Sequence, residues 1–175
     1  VNHSIPEYRE WRELLTEKGI KVVIARAGQR VRIGNGAYLD ILAPYENFVG
    51  ATPKDIHDAT VIAKLSYGST SVLLTGDAEK SLERRLLFSS FYLLDSDLLK
   101  IGHHGSKTST AEDFLKAVSP EVAVISAGTK NRYGHPHQDV LDRLLNFGIS
   151  IFRTDIDGDV KMVSDGQQFS RKTEN

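Results

Sequence analysis

From residue 60 onward, short β-branched or leucine-rich runs alternate with helix-patterned windows, whereas much of the preceding chain reads as hairpins. This mixture calls for a sheet with antiparallel and parallel parts and helices packed on it, because parallel neighbours need a crossover connection. Three polar motifs lie where strands end and loops begin: Thr75-Gly76-Asp77, His103-His104-Gly105-Ser106-Lys107 and Tyr133-Gly134-His135-Pro136-His137. Strand ends in α/β sheets are well placed to meet over one crevice. A carboxylate and several imidazoles gathered there point to a metal site. Four of the six histidines belong to the last two motifs, which concentrates the chemistry in one half of the chain.

Residues 6–18 read as a helix, with Ser4 as its cap, Pro6 in its first turn and Gly19 at its stop. Trp11, Leu14 and Leu15 supply its apolar stripe. Residues 21–26 read as a strand, and 29–33 turn through Gly34-Asn35-Gly36 into a strand over 38–43. A loop over 44–55 precedes a second hairpin, 60–66 with 71–75, turning at Tyr67-Gly68. Helices are expected over 78–88, 111–118 and 136–147, and strands over 98–101, 122–126, 149–153 and 160–163. Residues 167–175 read as a frayed polar tail. No repeat or linker divides the chain, so residues 1–175 read as a single domain.

The 175 residues suffice for one real core. The absence of cysteine excludes disulfides, thiolate ligands and a cysteine nucleophile. No apolar run approaches the roughly 18 residues of a membrane helix. The net charge of −1 excludes a global basic field for nucleic acid. Locally the balance differs. Residues 102–111 carry Lys107 and no acid, and 126–137 carry Lys130 and Arg132 and no acid. Such a surface suits an anion such as phosphate or carboxylate, and equally a solvated loop.

Each motif has a chemical reading and a structural one. Asp77 can bridge two cations through its two oxygens, or it can cap the helix that follows. Read as an extended segment, His103 and His104 point to opposite faces, one as ligand and the other as its support. His135 and His137 flank Pro136 and can serve as ligands, proton donors or anion partners, or lie incidentally on a surface loop.

The order Leu74-Thr75-Gly76-Asp77, then residues 99–106 ending in Gly102-His103-His104-Gly105-Ser106, then Ile125-Ser126-Ala127-Gly128, then Asn131-Arg132-Tyr133-Gly134-His135-Pro136-His137, resembles the metallo-β-lactamase-fold hydrolases. Its branch is that of the hydrolase domain of ComEC-type competence proteins and their free-standing secreted relatives. Phe152-Arg153-Thr154-Asp155 with Asp157-Gly158 shares that likeness. The family's His-x-His-x-Asp-His loop is absent from this sequence, and His3 and His57 have no partner two residues away.

The resemblance therefore implies an α/β fold, the αββα sandwich of the metallo-β-lactamase type, incomplete at its N-terminal side. It implies Asp77 as the bridging carboxylate and one of His103 and His104 as a metal ligand, with His104, beside the glycine, preferred. It implies two Zn²⁺ or Mn²⁺ ions in the complete domain, weakly held or absent in this chain alone. Lys107, Arg132, His135 and His137 would attend an anionic substrate, a phosphodiester or related ester, with DNA and its uptake in view. The setting would be extracytoplasmic, or membrane-associated through a parent protein. Expected partners are the missing N-terminal segment of the same fold and a second copy joined at an exposed sheet edge. The rival reading is a non-catalytic half-domain that acts as an interaction module. A metal-free phosphotransfer enzyme using His104 and His137 lacks a nucleotide cradle such as a P-loop.

Overall fold

The structure is a computed structural model that describes residues 5–51 and 53–172. Nine strands form: β1 (Arg30–Gly34), β2 (Ala37–Ala43), β3 (Ile62–Tyr67), β4 (Thr70–Leu74), β5 (Leu98–Lys100), β6 (Val122–Ile125), β7 (Ser150–Arg153), β8 (Lys161–Ser164) and β9 (Phe169–Lys172). The helices are α1 (Pro6–Glu17), α2 (Lys80–Ser89), α3 (Phe91–Leu94), α4 (Glu112–Val118), α5 (Gln138–Asn146) and α6 (Thr154–Asp157). Strands β1 to β7 make one sheet in sequence order. The β1–β4 half is antiparallel and the β4–β7 half is parallel. The expected mixture of hairpins and crossovers is the observed one.

The three parallel crossovers step in one direction across the sheet. Right-handed crossovers stepping one way put their helices on one face. Leu73, Leu99, Ala123 and Ile125 of the strands accordingly pack with Leu82, Leu86, Phe114, Leu115, Val118, Val140 and Leu144 of α2, α4 and α5 in one buried core. The opposite face is covered at one end by the β8–β9 ribbon. Ser69 donates its N–H to the Gly166 carbonyl at 2.7 Å, and Thr70 Oγ1 meets Ser164 Oγ at 2.6 Å. The Arg171 guanidinium lies over the Phe152 ring at 4.7 Å. The layers are helices, sheet and a second sheet of two strands, an α/β arrangement of the expected sandwich type.

Several boundaries differ from the sequence reading. Residues 21–26 form no strand, since among the described residues no neighbouring segment pairs with them, and Ile20, Val22, Val23 and Ile24 are all about half exposed. Residues 169–172 are not a frayed tail, because β8 gives them a partner in register from Lys161↔Lys172 to Ser164↔Phe169. Helix α5 starts after His137, not at Pro136, because the His137 N–H is committed to the Gly105 carbonyl at 2.9 Å. Helix α1 matches its expected span, while Ser4, its expected cap, lies outside the described residues. No helix of the described chain is long and apolar enough to cross a membrane.

Gly68, at φ +58°, turns β3 into β4 directly against the ribbon, and a Cβ there would sit 2.2 Å from the Gly166 carbonyl oxygen. Gly68→Ala should therefore cost at least about 2 kcal/mol, combining the left-handed penalty with displacement of the ribbon. Urea denaturation checks this. An alanine variant as stable as the parent would show that the ribbon does not pack on the β3–β4 turn.

Candidate metal centre

The strand C-termini of β4, β5 and β6 open on one edge of the sheet, and the three motifs follow from them. Asp77 leaves the end of β4, with its N–H bonded to Thr60 Oγ1 at 3.1 Å. It does not cap α2, whose N-cap is Glu79 and has no side-chain cap bond. The loop after β5 is a tight turn in which His103 (φ 46°, ψ 46°) and His104 (φ 55°, ψ 20°) both adopt left-handed backbone. The pair is not extended, as the sequence reading had it. Its two side chains diverge because the chain coils.

Two consecutive left-handed non-glycine residues cost on the order of 1–3 kcal/mol each and persist only where the surroundings impose them. Here the surroundings do so. The His103 N–H donates to the Gly76 carbonyl at 3.1 Å, and the Ser106 N–H returns to the His103 carbonyl at 2.9 Å. Gly105, at φ +80°, lies against Pro136, where a Cβ would fall 2.6 Å from the proline Cβ. The histidine turn is thus clamped between the Asp77 loop and the 133–137 loop.

Each imidazole has a fixed role. His104 Nδ1 is 2.8 Å from the Ser126 carbonyl, which can only accept, so Nδ1 carries the proton. In the neutral ring this leaves Nε2 bare, 3.6 Å from Asp77 Oδ1, with both side chains about half exposed. A lone pair facing a carboxylate at that distance invites a cation between them, and a histidine oriented by a backbone carbonyl is the usual support of a metal ligand. His103 Nδ1 likewise donates to Glu79 Oε1 at 3.2 Å, and Thr108 Oγ1 donates to the same oxygen at 2.7 Å. The His57 ring lies 4.5 Å from His103. Ligand atoms of His57, Glu79 and His103 all fall within 4.8 Å of one another. This nitrogen and oxygen donor set fits a divalent transition metal.

His57 and Glu79 escaped the sequence reading. His57 sits in a turn after Asp55 with no histidine at a ligand spacing, and Glu79 reads as the start of a helix. Only the fold brings them to His103.

The remaining candidates divide. His135 lies 5.9 Å from His103 and 5.3 Å from His137, ring to ring, so both join the same run of imidazoles. Burial, with His137, His103 and His104 as neighbours, holds the His135 pKa below its ordinary value. Its Nδ1 is buried without a hydrogen-bond partner. Arg132 is exposed and turned onto Tyr133, with its guanidinium 4.9 Å over the ring and Nη2 bonded to the hydroxyl at 2.7 Å. Lys107 is exposed, and its carbonyl accepts from Lys80 Nζ at 2.8 Å. Lys100, partly buried, donates to the Ile101 carbonyl at 2.7 Å. Burial lowers its pKa, and Asp77 opposes that shift.

Behind the histidine turn, Glu83 of α2 is buried, and its two oxygens accept the N–H groups of Thr110 and Ala111 at 2.5 and 2.8 Å. Burial pushes this carboxyl from 4.5 up to about 7, although both N–H bonds pull it down. Between those values the folded chain keeps a proton that the unfolded chain has released. Stability therefore falls as pH rises from 4.5 to 7, by up to about 3 kcal/mol, and is level above. Glu83→Gln leaves one N–H short of its acceptor, which costs about 1–3 kcal/mol at pH 5, but it lacks this slope. Urea denaturation at pH 5 and pH 8 should show the gap between the two proteins narrowing. Parallel pH profiles would sink this account.

No protein-family model matches the sequence. The chain is 34% identical over 158 residues to ComE operon protein 3 of Bacillus subtilis, covering 90% of this chain and 20% of that protein. It is 38% identical over 127 residues to Recombination protein 2 of Haemophilus influenzae, covering 73% and 15%. It is 37% identical over 126 residues to competence protein ComA of Neisseria gonorrhoeae, covering 71% and 17%. The chain thus spans a fifth or less of the length of these relatives. Among solved structures, one assigned as a metal-dependent hydrolase from Parabacteroides distasonis superimposes with a TM-score of 0.54 at 14% identity, over 89% of this chain and 73% of that one. CmlA, a diiron β-hydroxylase from Streptomyces venezuelae, superimposes with a TM-score of 0.55 at 13% identity, over 81% and 35%. At such identity these neighbours speak for the fold alone. Sequence relatives and shared fold together make this chain a member of the ComEC-type competence-protein family, matching a segment of those proteins and carrying a metallo-β-lactamase-type fold.

Proposed function

We propose that the chain carries a metal-dependent site for hydrolysing phosphodiesters, with DNA, in the setting of its uptake, as the substrate. The bare Nε2 of His104 facing Asp77, beside the His57, Glu79 and His103 set, carries this reading. These five residues would hold Zn²⁺ or Mn²⁺, which when bound would neutralise phosphate charge and lower the pKa of a water nucleophile. The chain's own side chains do the rest. Ser126 and Glu79 fix the proton on Nδ1 of His104 and His103, leaving each Nε2 free to ligate. His135, kept neutral by burial and its neighbours, would offer its Nε2 near a leaving oxygen. His137 extends that imidazole wall, while Arg132 and Lys107 lend positive potential from the rim.

Without the His-x-His-x-Asp-His loop, metal affinity should fall well short of a structural zinc's roughly 10–16 kcal/mol. Calorimetry with Zn²⁺ or Mn²⁺ should show weak binding that His104→Ala and Asp77→Asn reduce at least about tenfold. Hydrolysis of bis-p-nitrophenyl phosphate should be slow, metal-dependent and lost in Asp77→Asn. Turnover unchanged by that substitution would defeat the proposal.

The unpaired residues 21–25 favour a second role, as an interaction surface. Val23, Ile24 and Ala25 line a groove of about 380 Å³ with Pro44, Val49 and Val61. Rich in β-branched residues and about half exposed, this segment suits strand addition by a second copy. Sedimentation should show association that weakens in Val23→Lys, and a strictly monomeric parent would remove this role.

A further inference from the structure

Beyond His104, on the side away from Asp77, lies a cavity of about 430 Å³ lined by residues of the β6 exit, the 131–135 loop and Thr154. Among the described residues, no lysine, arginine or carboxylate lines it. Several of its backbone polar groups are already engaged. The Ser126 carbonyl accepts from His104, the Ala127 N–H and carbonyl both bond Thr154 Oγ1 at 2.9 Å, and the Gly128 carbonyl accepts from Asn131 Nδ2 at 2.8 Å. A phosphate or a cation would find no charged partner there. The Tyr133 and His135 rings, stacked 5.8 Å apart at 18°, give the cavity a flat aromatic lining, and Tyr133 is 62% exposed.

We infer that this cavity binds a nucleobase, so that the nucleotide carrying it presents its phosphate to the Asp77–His104 pair. The inference rests on the phosphodiester reading and names the part of the substrate that the metal donors do not touch. A planar, uncharged ring matches the flat aromatic walls and a lining without lysine, arginine or carboxylate. His104 serves both sides, one edge on the cavity and Nε2 toward Asp77, so base and phosphate sit one sugar apart. Aromatic stacking of this kind tolerates every base. The site therefore selects nucleotides over simple phosphate esters without selecting a sequence.

Gly128 supplies the means to test it. A Cβ there meets nothing closer than Asn131 Cβ at 4.0 Å, and the residue does not need left-handed backbone. Gly128→Leu should fold normally while filling the cavity. Calorimetric titration with Mn²⁺ present would compare thymidine 5′-monophosphate with 2-deoxyribose 5-phosphate, which lacks the base. The nucleotide should bind at least about tenfold more tightly, within the range that stacking of one base supplies. Gly128→Leu and Tyr133→Ala should each bring that ratio towards one, and Tyr133→Phe should keep it. Equal binding of the two ligands by the parent, failure of both to bind, or a ratio indifferent to Gly128→Leu would overturn the inference. A thymidine tetranucleotide binding more tightly than the monophosphate makes a single strand the source of the base, and the reverse makes it a free nucleotide. The two proposals fail separately: a base-dependent ratio without Asp77-dependent hydrolysis leaves the cavity assignment standing and removes the hydrolase, and the converse does the opposite.

Discussion

Parallel pairing of β4 with β5 and β5 with β6 fixes where the chemistry can occur. In register from Val72↔Leu98 to Leu74↔Lys100, and from Leu98↔Val122 to Lys100↔Val124, these strands end together. The three segments that leave them must share one edge of the sheet. Thr75 Oγ1 bonds the Lys100 carbonyl at 2.5 Å, and the Ile101 N–H bonds the Val124 carbonyl at 2.9 Å. The ladder thus continues past the last strand residues and delivers Asp77, His103 and Ser126 side by side. A register slip of one residue would turn each of these side chains to the other face.

The histidine turn is a strained element held by an unusually costly support. Glu83 is a carboxylate taken almost wholly out of water, and an isolated apolar contact would fill its volume at less cost. What it provides is two oriented acceptors for consecutive N–H groups at the end of the histidine loop, where Thr110 is also left-handed, at φ 61°. Arg143 of α5 bonds the Thr110 carbonyl at 2.8 Å from the other side. Helices α2 and α5 therefore both grip the loop that carries the candidate ligands. Packing strain and desolvation cost are concentrated next to the site, as expected where position counts for more than stability.

Much of this was legible from residue patterns. The alternation of apolar runs and helical windows predicts the parallel half, and motifs at strand ends predict the meeting of Asp77 with His104. What local patterning cannot supply is anything set by a distant partner. Residues 21–26 have every strand preference, yet among the described residues no segment pairs with them. Residues 169–172, polar apart from Phe169, still form a strand, because β8 lies beside them. His57 and Glu79 carry no motif, and only the docking of the 56–59 turn and the start of α2 against His103 gives them a shared role. The left-handed double histidine is likewise a tertiary product, since residues flanking the turn impose a backbone that neither histidine prefers.

The two donor groups are not equivalent. His57, Glu79 and His103 already satisfy one another in part, through the His103–Glu79 bond, and the His103 and Glu79 side chains are each 24% exposed. Asp77 and His104 are about half exposed, and neither hydrogen-bonds the other. A cation entering the first set would meet donors already partly engaged, whereas one entering the second resolves an unfavourable facing of lone pairs. The Lys100 ammonium, partly buried and near enough to Asp77 for the carboxylate to oppose its pKa depression, partly offsets the carboxylate charge while the pair waits. The open pair also borders the aromatic cavity through His104. On the proposed phosphodiester reading, a substrate phosphate would therefore meet the more open Asp77–His104 pair first. The enclosed set would act behind it, as the deeper and more selective of the two positions.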